Sequence, residues 1–66
     1  GGAYPCLVNS ANEEAVRLFL ERKISFLQIG EIVSSIPDKF TYSDILSYDD
    51  VIKADLAARE YVKSIL

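Results

Sequence analysis

Ser47-Tyr48-Asp49-Asp50-Val51-Ile52-Lys53-Ala54-Asp55-Leu56-Ala57-Ala58-Arg59-Glu60-Tyr61-Val62 reads as a helix at every level and sets the fold class. Ser47 and Asp50 have the spacing of a helix start, with Leu46 and Val51 placed as a hydrophobic staple across it. Apolar residues recur at Val51, Ala54, Ala58, Tyr61 and Ile65, a spacing that puts one stripe toward a core. The charges fall in helical pairs with the acid first, Asp49 to Lys53, Asp55 to Arg59 and Glu60 to Lys63, each contributing about 0.2–0.5 kcal/mol. The pattern predicts a helix over about 47–65.

Two further starts lie upstream. Ser25 and Gln28 form a capping box with Ile24 and Ile29 as its staple, and Pro37 disfavours helix at the residue before it. A helix over about 25–35 follows, with Ile29, Ile32, Val33 and Ile36 on one face. Ser10 and Glu13 form another Ser-x-x-Glu box, with Asn9 as a competing cap, and predict a helix over about 10–22. Residues 1–9, with Pro5 among them, then read as an extended lead-in to a single helical domain over 10–66. A weaker box at Thr41 and Asp44 predicts a short helical turn near 42–46. The fold class is all-α: three main helices in a bundle.

The helix over 10–22 differs from the others. Ala11, Ala15, Val16, Leu18, Phe19 and Leu20 occupy about half of its circumference at roughly 100° per residue, wider than a surface helix needs. Such a helix is buried on two sides, and the expectation is a partner beyond the other two helices.

Composition narrows the function classes. The chain has 66 residues, half of them hydrophobic, and a formal charge of −3. A chain of this length buries only about 60% of its unfolded surface and is marginal alone. One cysteine, Cys6, excludes an internal disulfide, and the lack of histidine excludes a zinc-finger site. Scattered lysines and arginines with net negative charge do not make a nucleic-acid footprint. No run approaches the roughly 18 apolar residues of a membrane span, and no signal-peptide pattern is present. A soluble, reducing, cytoplasmic setting is expected. The chain has no methionine and opens Gly1-Gly2-Ala3, which reads as a piece of a longer polypeptide.

No constellation in the residues carries catalysis, cofactor binding or metal binding. Asp49-Asp50 sit in a first helical turn, where the macrodipole favours acids. Glu13 is occupied by the cap and by Arg17 four residues on, which accounts for the Glu13-Glu14 pair. Asn9 and Asn12 frame a helix N-terminus, a place suited to an incoming backbone or anion, although capping explains them. Asp55 has two open readings: a half-buried group bonded to another element, or an exposed ion pair with Arg59. Cys6 reads as a small buried hydrophobe, and Gly30, inside a helix, as a point of close packing.

A family resemblance adds what the residues alone do not. Leu7-Val8-Asn9-Ser10-Ala11-Asn12-Glu13, continued by Ala15-Val16 and Phe19-Leu20, is similar to the leucine-asparagine-alanine-alanine-asparagine-glutamate run in the C-terminal helical domain of 1-deoxy-D-xylulose 5-phosphate reductoisomerases. Lys23-Ile24-Ser25-Phe26 with Ile29 resembles the basic-Ile-x-Phe-x-x-Ile element that follows. Asp49 to Glu60 resembles the closing helix. Ser10 departs from the family's commoner alanine, and Pro37 to Ser47 matches no family pattern closely.

The resemblance implies a parent enzyme, dimeric and dependent on NADPH and a divalent metal (Mg or Mn). That enzyme converts 1-deoxy-D-xylulose 5-phosphate to 2-C-methyl-D-erythritol 4-phosphate for isoprenoid synthesis. Its catalytic and nucleotide-binding domains precede this region, so the resemblance implies no catalytic residue here. The implied role is packing against the catalytic domain, and the isolated piece is expected to self-associate or to be poorly stable. Two other classes compete. A free-standing protein-interaction module needs a start codon just upstream of Gly1. An acyl-carrier-like domain needs an Asp-Ser-Leu attachment serine, which the chain lacks.

Overall fold

The computed structural model describes residues 3–40 and 47–66 and, within them, side chains from Pro5 onward. Among these residues there are four helices and no strand: α1 (Ala3–Leu20), α2 (Phe26–Ser34), α3 (Ile36–Lys39) and α4 (Tyr48–Ser64). The expected turn near 42–46, the Thr41–Asp44 box and Leu46 of the staple lie outside the described residues.

Helix α1 runs seven residues further toward the N-terminus than the sequence predicts, so the extended lead-in over 1–9 is corrected to helix from Ala3. Pro5 is the reason it was misread and also why the helix is possible. It falls in the first turn, where its missing N–H has no intrahelical acceptor to lose. Ser10 and Glu13 are therefore interior residues and not a capping box, and Asn9 and Asn12 do not flank a helix N-terminus.

The C-terminal end of α1 closes with paired reversed bonds. The Lys23 amide donates to the Leu18 carbonyl and the Arg22 amide to the Phe19 carbonyl, both at 2.9 Å. This is the Schellman arrangement. It requires a left-handed residue, and Arg22 supplies it with φ 62°, the one non-glycine position of positive φ among the described residues. An L side chain there costs roughly 1–2 kcal/mol.

Helix α2 opens as predicted. The Gln28 amide donates to Ser25 Oγ at 3.2 Å, and the Ser25 amide donates to Gln28 Oε1 at 2.7 Å. The chain does not leave helix at Pro37. After one residue, Ser35, Pro37 occupies the first turn of α3, a helix the sequence reading did not foresee. Helix α4 matches its predicted span, with Ser47 Oγ accepting from the Asp50 amide at 3.2 Å.

The core is Leu7, Ala11, Ala15, Leu18, Ile24, Ile32, Ile36, Ala58 and Val62. Helix α1 is its axis and contacts each of the other three helices. Helix α4 contributes Ala58 and Val62; Ala54 and Tyr61 pack at the margin, while Val51 and Ile65, expected in the stripe, lie near its ends and are exposed. Tyr61 ties the two sides together. Ser35 Oγ donates to the Ile32 carbonyl at 2.6 Å, so its one proton is committed and the Tyr61 hydroxyl donates to it. Phe40 meets the Tyr61 ring edge-on at 5.6 Å.

This arrangement accounts for the wide face of α1 within the chain. Its buried residues are shared between α4 and the α2–α3 segment, and of the six apolar positions noted only Leu20 is broadly exposed, at 72%. Gly30 is corrected too: a Cβ there meets nothing within 4 Å, so no close packing among the described residues requires it.

Arg22→Gly removes the left-handed penalty without touching a buried side chain. It is expected to stabilise the domain by about 1 kcal/mol in urea denaturation followed by circular dichroism. A loss of stability contradicts the Schellman assignment.

Candidate functional site

Along α1, Leu7, Ala11, Glu14 and Leu18 follow one another at helical spacing on the buried side. A carboxylate in that row is costly unless paired and hydrogen-bonded. Glu14 is 3% exposed. Two arginines meet it from different helices. Arg17, one turn on, donates from Nε at 2.9 Å and also from Nη2 to Glu14 Oε2. Arg59 of α4 donates from Nη1 to Glu14 Oε1 at 3.4 Å.

Arg59 is the hub of the interface. Its Nη2 pairs with Glu13 Oε2 at 2.8 Å and its Nε with Asp55 Oδ1 at 2.9 Å, so three carboxylates surround one guanidinium. Asp55 accepts a further bond of 2.6 Å from Ser10 Oγ, across the helix interface. The network spreads along α1 as Arg17 pairs with Glu21, and Glu21 with Lys23 at 3.1 Å. Among the described residues, no buried side-chain nitrogen or oxygen lacks a hydrogen-bond partner.

The electrostatics follow from this geometry. The Arg17 bond, opposed by burial and helped by the charge of Arg17, the Arg59 bond and the charge of Lys63, holds the Glu14 carboxyl below its ordinary value. The Ser10 hydroxyl, followed by Arg59, does the same for Asp55. Arg59, bonded to Glu13 and Asp55, is pushed up and stays charged.

Of the residues singled out in the sequence, Asp55 resolves to the first of its two readings, a half-buried group bonded to another helix, with Arg59 as its local partner. Glu13 pairs with Arg59 and not with Arg17 as expected; Arg17 turns instead to Glu14 and Glu21. Asn9 donates to Glu13 Oε1 at 3.4 Å and Asn12 is exposed, so neither forms a pocket with the other. Cys6 is half-buried beside the Val51 carbonyl, with Sγ at 3.9 Å. Asp49 and Asp50 lie in the first turn of α4, as expected. The sequence reading named Ser10, Glu14 and Arg59 but did not foresee their contacts across the α1–α4 interface. The available signal was that Glu14 lies in the α1 core row.

The arrangement joins α1 to α4. Among the described residues no three histidine, cysteine or acidic side chains are gathered as metal ligands, and no helix is long and apolar enough to cross a membrane.

Comparison with known proteins agrees with the sequence resemblance. The family described as the DXP reductoisomerase C-terminal domain matches residues 1–61. A 1-deoxy-D-xylulose 5-phosphate reductoisomerase of Microcystis aeruginosa is 46% identical over 68 residues, covering 100% of this chain and 17% of that protein. The enzyme of the same name from Acetivibrio thermocellus is 42% identical over 66 residues with the same coverage. That from Clostridium botulinum is 45% identical over 62 residues, 94% of this chain and 16% of its own length. The chain thus spans about a sixth of the length of these relatives. No solved structure matches significantly.

Arg59→Met keeps the aliphatic stem and removes the hub charge. At neutral pH it is expected to cost about 2 kcal/mol in urea denaturation, because Glu14 and Asp55 lose charged donors. Carboxyls depressed by folding stabilise the folded state above their unfolded pKa, and that contribution is lost as pH falls through the lower folded values. The native chain should therefore lose stability on acidification below about pH 4, and the deficit of Arg59→Met should shrink over the same window. A deficit independent of pH contradicts the network.

Proposed function

This chain belongs to the DXP reductoisomerase C-terminal domain family, and we propose on that premise that it is the packing domain of an enzyme acting on 1-deoxy-D-xylulose 5-phosphate. The observation that carries the reading is identity of 42% and 46% along the whole chain to two enzymes of that name, of whose length the match covers 17%. The parent reaction rearranges the carbon skeleton of the substrate and reduces the product with NADPH in the presence of a divalent metal. It yields 2-C-methyl-D-erythritol 4-phosphate for isoprenoid synthesis. The parent is a cytoplasmic homodimer in this proposal.

NADPH and the metal are assigned to the remainder of the polypeptide. The clustered carboxylates of this chain, Glu13, Glu14 and Asp55, are engaged by Arg59, and Glu14 also by Arg17. What the domain contributes is a preformed helical block, held by its own core and by the α1–α4 network, against which a catalytic domain is supported. That role needs rigidity and surface complementarity and requires no reactive side chain.

The test is made on the complete gene product. It should oxidise NADPH in the presence of 1-deoxy-D-xylulose 5-phosphate and Mg or Mn. Leu18→Asp, which breaks the core of this domain, should lower that activity by more than about tenfold by destabilising the support of the catalytic part. A complete product without the activity defeats the reading. So does full activity and unchanged melting temperature in Leu18→Asp.

A further inference from the structure

We draw no further inference here: the strongest candidate, the exposed apolar patch of Tyr48, Ile52 and Leu56 along the outer side of α4, carries none because nothing in the structure shows what covers it.

Discussion

The fold depends on one helix being covered along two flanks while it carries a buried acid. Helix α1 supplies Leu7, Ala11, Ala15 and Leu18 to the core, and the other helices lean on it. Alanines at Ala11, Ala15 and Ala58, all fully buried, bring helix backbones close, where a larger side chain forces them apart. Glu14 lies in the same row and fixes how α4 is seated, because its second oxygen is served by Arg59 from that helix. Sliding α4 by one turn separates Arg59 from Glu13 and Glu14, and Asp55 from Ser10. An apolar interface alone tolerates such a slip far more readily than one with a charge inside it.

Much of this was legible because it is local. The Ser25–Gln28 box and the Ser47 cap each need information from four consecutive residues, and both appear as read. The start of α1 was misread for an equally local reason. Ser10-x-x-Glu13 has the letters of a cap, and Pro5 has the look of a breaker, yet a proline in a first turn breaks nothing. The helix α3 beyond Ser35 was lost to the same rule about proline. Apolar spacing placed α4 but not its centre: Val62 is fully buried, while Val51 and Ile65 are exposed near the helix ends.

What the sequence did not disclose is what joins distant residues. Ser10 meets Asp55, and Glu14 meets Arg59, across separations of 45 positions. In sequence Ser10 reads as half of a capping box; it is an interhelical donor. Asp55 was readable as either of two things because its local partner, Arg59, is the same in both. Only the position of α1 decides between them. The family assignment was legible for a different reason, since it rests on ordered short matches along nearly the whole chain and needs no contact to be known.

The central claim is that α1, from its first turns through Leu18, is the axis on which the other helices are assembled. Native-state amide hydrogen exchange addresses it residue by residue. The account predicts that amides of α1 from about Ala11 to Leu18 exchange only through global unfolding, as the slowest set in the domain, with those of α2 and the ends of α4 opening earlier. It further predicts measurable protection at Leu7 and Val8, which an extended lead-in cannot provide. Slowest exchange confined to α4, with Leu7 and Val8 exchanging at the unprotected rate, contradicts it.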